Sequence, residues 1–330
     1  MTWFLFGLIC VLGWGFADLF YKKGTDETDR YSHLKIAIWV GLVMGICAIA
    51  VLIIFKRSFS IMDLVKYSPA SMSYIISMVI GYAGLRYLEV SIISPVQNAS
   101  GALSAICMAI FFLLTGRITD FFEEYSVLDI IGTVLIVAGV ILLAVAEKRL
   151  ADKEKPLPKE ERKYRLVALA LLFPILYCVF DTIGTAADGI ILSDESLLGL
   201  DEIDVLILYG LTFFAAGIVC FIFLWIKNKK IYNPFQKSEG NKIIASCCEE
   251  FGQVFYVYAM AENPVLVAPM VASYCIVSVI LSRIFLKEKL KPLQLTSVIV
   301  VILGIVMSLE RSSPRRWRRR CSRWASRCCR

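Results

Sequence analysis

Ten runs of about 20 apolar residues, separated by short polar stretches, follow one another between Trp3 and Leu309. Their bounds fall near 3–21, 36–55, 69–88, 92–115 and 127–146, then 166–192, 205–226, 243–261, 265–286 and 292–309. Such a run crosses a bilayer core of about 30 Å as one helix. Strand-like alternation is absent, and a backbone in lipid must satisfy its own hydrogen bonds, so every run is predicted helical. Span six is longer than a crossing needs, which predicts either tilt or an end that leaves the membrane. Ser58–Lys66 is too short to cross and is expected at the interface.

One polar stretch, Glu147–Arg165, carries eight Lys/Arg and two prolines and divides the ten runs into five and five. The expected organisation is a first five-helix unit over 1–146, a charged linker over 147–165 and a second unit over 166–310. The basic tail, 311–330, stands outside that fold. Three similarities in the same order suggest that the units repeat. Spans four and nine open with a proline in the same place, Pro95 and Pro269. Spans five and ten carry a glycine in matching apolar surroundings, Gly139 and Gly304. Spans one and six align over Trp14–Asp18 and Tyr177–Asp181, which superposes two intramembrane aspartates. Two copies of a five-span unit must lie in opposite senses. The fold class is therefore all-α integral membrane, ten transmembrane helices as two inverted five-helix repeats, with a site near the midplane between them.

The layout and two stretches resemble the drug/metabolite transporter superfamily, specifically its EamA-type ten-helix members. The stretches are GWGFADLFYKKG (Gly13–Gly24) and the segment Leu281–Pro292, which contains Glu288 and precedes a glycine-containing last span. The resemblance covers about residues 3 to 310. It implies a membrane transporter that exports or exchanges amino acids, other metabolites, drugs or nucleotide sugars through a central cavity, and a bacterial inner (plasma) membrane location. The loop after span four, Gly116–Glu124, is longer than the loop carrying Glu288 and departs from the pattern.

Composition agrees with lipid. Apolar residues make up 58% and charged residues 19%, against roughly 45–50% and about 25% in soluble domains. The net charge of +7 reflects loops and the arginine-rich tail, so no nucleic-acid partner is expected. Eight of the eleven cysteines lie in apolar runs, no CxxC pair occurs, and the one histidine, His33, is in a loop. Neither a metal nor another cofactor is expected. Loops after odd-numbered spans, with Arg86 and Arg283 near the ends of the spans that precede them, hold 22 Lys/Arg, and those after even-numbered spans hold 4. That bias puts the central linker in the cytoplasm and both termini outside, whereas the resemblance implies cytoplasmic termini. The tail reads either as a basic membrane anchor or as a stretch foreign to the fold.

Charge inside a bilayer is costly and marks candidate chemistry. Asp181 lies deep in span six, with proton carrier and counter-ion for a cationic substrate as its candidate roles. Asp18 is its repeat partner, four residues from Lys22, and also reads as an interfacial carboxylate. Glu249 and Glu250 in span eight point about 100° apart, so one of them at most faces a narrow cavity. Asn98 and Ser100, beside Pro95, and the aromatic Trp14 and Tyr177 complete the candidate substrate and ion pathway. Arg86 with Glu89, and Glu262, read as ion pairs at helix ends.

The leading function is secondary transport of a small metabolite or drug-like solute by alternating access, with H+ as a candidate coupling ion. A membrane-embedded enzyme would need a nucleophile, base or metal cluster that the chain does not offer, so no enzymatic activity is expected. A receptor or scaffold would leave the repeat unexplained. No GxxxxGK[ST] loop is present to couple ATP through this chain.

Overall fold

The computed structural model describes residues 2–24, 29, 31–58, 60–84, 90–118, 122, 125–154, 164–193, 195–234, 236, 239–286 and 292–309. Among these residues there are helices and no strands. The helices are α1 (Thr2–Gly24), α2 (Ser32–Ile54), α3 (Ile61–Gly84), α4 (Val90–Leu114), α5 (Val127–Glu154) and α6 (Tyr164–Ser193). They continue with α7 (Glu195–Leu198), α8 (Glu202–Asn228), α9 (Gly240–Glu262), α10 (Pro264–Ala272), α11 (Tyr274–Leu286) and α12 (Pro292–Leu309). The tail, Arg86, Glu89 and Glu288 lie outside the described residues.

The predicted spans map onto these helices with three differences. Span nine is two helices, α10 and α11, broken at Ser273, where the Ser273 hydroxyl and N–H both donate to the Met270 carbonyl. Those bonds occupy the acceptor that a continuing helix would offer to the residue four places on. The segment expected to lie at the interface, Ser58–Lys66, runs into the start of α3, which begins at Ile61 and continues through Pro69. A proline inside a helix leaves the carbonyl four residues earlier without its donor. Here that carbonyl is Val65, and the Ser68 hydroxyl donates to it at 2.8 Å. Third, α5 continues beyond Ala146 to Glu154, into the stretch read as linker.

Four helical stretches are long and apolar enough to cross a membrane, 2–21, 32–54, 175–193 and 202–228, with shorter apolar helices in α4, α5, α10–α11 and α12. Helices α3 and α9 fall outside that set. Both are strongly amphipathic, and both sit inside the bundle, between other helices. Apolar side chains such as Ile53, Leu114 and Val219 cover the outside, as lipid contact requires.

Helix pairing crosses the midpoint of the chain. α1 lies on α9 and α11, α2 on α8, α3 on α6, and α5 on α12, while α4 is wedged among α5, α6 and α10. Lipid gives little hydrophobic drive to such contacts, so small residues that let backbones approach become decisive. At the α2–α8 crossing, a Cβ on Gly41 would stand 2.5 Å from the Phe213 carbonyl oxygen and 3.0 Å from the Gly217 Cα. Gly45 lies against the Phe214 ring. The GxxxG spacing in span two is thus a contact surface. Gly139 and Gly304, matched in sequence, both lie at the α5–α12 contact.

Polar contacts tie the ends. Where α1 begins, the Trp3 N–H donates to Glu262 at 2.8 Å, and the Thr2 hydroxyl donates to the same carboxylate. Through these bonds Glu262, which the sequence reading places in an ion pair at a helix end, also caps α1, where a carboxylate meets unpaired N–H groups. Arg57, after α2, reaches Asp201 at 2.5 Å and Asp204 at 3.6 Å. Those two aspartates also form the capping box of α8. At the opposite end, buried Lys242 pairs with buried Glu239 at 2.7 Å.

Candidate functional site

Helix register lines up the side chains that meet in the centre. On α1, Trp14 and Asp18 are four residues apart. On α6, Tyr177, Asp181, Thr185 and Asp188 fall at spacings of four, four and three. On α9, Gln253, Tyr256 and Met260 follow the same rule. Residues three and four apart share a helix face, so each helix offers one polar or aromatic stripe.

The structure brings Ser100 and Asp181 together: the Ser100 hydroxyl donates to Asp181 Oδ2 at 2.6 Å. The Ser278 hydroxyl of α11 likewise donates to Asp18. Above Asp181 on α6 lies a layer of hydroxyls. Tyr74 OH is hydrogen-bonded to Thr185 Oγ1 at 2.9 Å and donates to Tyr256 OH at 3.1 Å. Two turns from Asp181, Tyr67 OH donates to Asp188 Oδ1 at 2.7 Å. Rings close the wall: Trp14 lies 5.3 Å from Tyr256 and edge-on to Tyr274 at 5.9 Å, and Tyr74 lies edge-on to Tyr209 at 5.8 Å.

The other predicted residues are placed as follows. The Trp14 indole N–H donates to the Glu249 carbonyl at 3.3 Å, and the ring fits over Gly252, where a Cβ would be 2.4 Å from Trp14 Cδ1. Tyr177 does the same over Gly81, at 2.6 Å from a Cβ there. The paired glutamates diverge as their spacing requires. Glu249 lies within electrostatic reach of Asp18, and Glu250 meets the Cys47 thiol of α2. Pro269 sits inside α10 with its Cα close to Gly101 of α4. Pro95 and Asn98 belong to α4, and their side chains lie outside the described residues. Sequence reasoning passed over Asp188, Tyr67, Gln253 and Ser278. Asp188 was detectable, because it lies two turns beyond Asp181 on the same face.

Every described Lys and Arg is in a loop or within two turns of a helix end. The central wall therefore combines carboxylates, hydroxyls and aromatic faces. That chemistry suits a positively charged or amphipathic solute, since ammonium groups bind carboxylates and the faces of Trp and Tyr. Among the described residues, no group of three or more His, Cys, Asp or Glu is placed to hold a metal ion.

Residues 194–309 match the EamA-like transporter family. No curated protein matches the chain. A solved structure described as "Crystal structure of protein" superposes with a TM-score of 0.63 at 13% identity, covering 92% of this chain and 95% of that chain. At that identity the likeness shows the fold alone, and it extends across the half that the family match does not reach. Over residues 194–309 the chain is thus similar to EamA-like transporters, and its long apolar helices agree with a multi-pass membrane protein.

Proposed function

We propose that the chain is a secondary transporter that carries a small organic cation by alternating access, with Asp181 as the counter-ion. The observation that carries the reading is the Ser100–Asp181 bond, set beside an aromatic and hydroxyl wall with no described basic side chain among it. The moving parts are two inverted repeats, 1–146 and 166–310, joined by the linker 147–165. The helix pairing supports this division. Exchanging spans one to five for six to ten turns the α1–α9 contact into the α6–α3 contact, and turns α2–α9 into α8–α3. The α2–α8 and α5–α12 contacts map onto themselves.

In this reading an amine and a proton compete for the Asp181 carboxylate, so inward movement of one drives outward movement of the other. Ser100 holds the carboxylate in place from α4. Trp14, Tyr74 and Tyr256 give the solute an apolar surface, and Glu249, Glu250 and Asp18 are further stations for the proton. The linker faces the cytoplasm and the termini lie outside, following the Lys/Arg bias, in a bacterial inner membrane.

The test is n-pentylamine counterflow in proteoliposomes under an imposed pH gradient. Uptake that follows the gradient and vanishes in Asp181→Asn supports the proposal. Undiminished uptake in that variant removes Asp181 as the counter-ion. Absence of amine uptake and binding by the folded wild type removes the cation.

A further inference from the structure

Resting on the reading of Asp181 as a counter-ion, we propose that the substrate is a dication, a linear diamine or polyamine, whose second ammonium is held by Asp188. Seven residues separate the two aspartates, two helical turns or about 10 Å of rise on one face of α6. Each carboxylate is anchored from the other half of the chain by hydroxyls, Ser100 with Ser77 beside it for Asp181 and Tyr67 for Asp188. None of these hydroxyls brings charge. Asp188 is 0% exposed, and its Oδ2 has no hydrogen-bond partner among the described residues.

An ionised carboxylate buried in that way is expensive unless a cation pairs with it. The described Lys and Arg side chains stay near the helix ends, so among the described residues no side chain supplies that charge, and a mobile cation in place of a proton would. Two carboxylates two turns apart match two ammonium groups joined by a methylene chain. Between them lie Thr185 and the Tyr74–Tyr256 pair, whose rings would cover the methylenes and whose oxygens would accept from an internal amine.

A separate observation points to the same layer. Gln253 is 1% exposed, and neither its amide nitrogen nor its amide oxygen is hydrogen-bonded among the described residues. It lies three residues before Tyr256, on the α9 face that carries Met260 against Gly189. A buried amide without partners is costly, and a secondary ammonium in mid-chain would satisfy its oxygen.

The experiment is calorimetric titration of the full chain in detergent with n-pentylamine, ethylenediamine, cadaverine and spermidine. A second buried charge-assisted bond is worth enough that cadaverine or spermidine should bind at least about tenfold tighter than n-pentylamine. Ethylenediamine, too short to reach both carboxylates, should show no such advantage. Asp188→Asn should bring the ratio of long diamine to monoamine affinity close to one. Tyr67→Phe, which keeps the charge, should preserve the preference.

Equal binding of monoamine and long diamines by the wild type would overturn the inference and leave the monovalent cation reading standing. A diamine preference that survives in Asp188→Asn would overturn it as well. Failure of every amine to bind wild-type protein that still melts cooperatively would overturn both readings. If Asp188→Asn does not fold, the chain-length series on the wild type decides.

Discussion

Ser278 of α11 donates a hydrogen bond to Asp18 of α1 across a separation of 260 residues, and Ser100 of α4 does the same for Asp181 of α6. In both cases the aspartate lies in the first span of one half and the serine in the fourth span of the other. Each bond therefore fastens one half of the chain to the other inside the membrane. Hydrogen bonds to charged groups are worth about 1.5–3 kcal/mol. Ser100→Ala is expected to weaken n-pentylamine binding about tenfold or more, read by calorimetry. A cycle of Asp18→Asn with Ser278→Ala should show coupling of about 0.5–3 kcal/mol in thermal unfolding. Purely additive effects would mean that this bond carries no stability.

The α2–α8 crossing is tested by Gly41→Ala. The new methyl would stand 2.5 Å from the Phe213 carbonyl oxygen, which is backbone and cannot swing aside. Overpacking of this kind costs about 1–3 kcal/mol, so the melting temperature should fall. Gly240→Ala is the control, because nothing lies within 4 Å of a Cβ there.

Lys242 and Glu239 form a buried pair at 2.7 Å, each about 5% exposed at the side chain. Removing one partner strands the other charge, at a cost of about 3–5 kcal/mol. Glu239→Gln should lower the melting temperature far more than the paired replacement Glu239→Gln with Lys242→Met. Equal losses would show that the pair acts through packing rather than charge.

Glu262 caps α1 through Thr2 and the Trp3 N–H. Glu262→Ala should cost about 1 kcal/mol, the usual worth of a helix cap. Hydrogen exchange at the first turn of α1 should rise while that of α9 stays slow. Unchanged protection at Trp3 would remove the cap.

Membrane sidedness is open to a labelling test. Lys56 adjoins Arg57, which is tied to Asp201 at the end where α1 begins, and Lys230 follows α8 at the other end. In a cysteine-free background, Lys56→Cys should react with an impermeant maleimide added to whole cells, and Lys230→Cys should react only after lysis. The reverse pattern would place the termini in the cytoplasm.

Run length and hydropathy were enough to place the helices, because a bilayer demands about 20 apolar residues per crossing whatever their order. They also marked Asp181, Asp18 and the span-eight glutamates, since any charge stands out against an apolar run. Asp188 lies in the same run and stands out by the same measure, but nothing local to it tells that it is buried. Its burial depends on Tyr67, 121 residues away. The partnership of Ser100 with Asp181, 81 residues apart, likewise depends on a neighbour from a distant segment. Hydropathy is summed along one helix, whereas hydrogen bonds and close backbone approaches are set between helices. Two serines with the same local surroundings cannot be told apart until packing selects the carboxylate that one of them reaches.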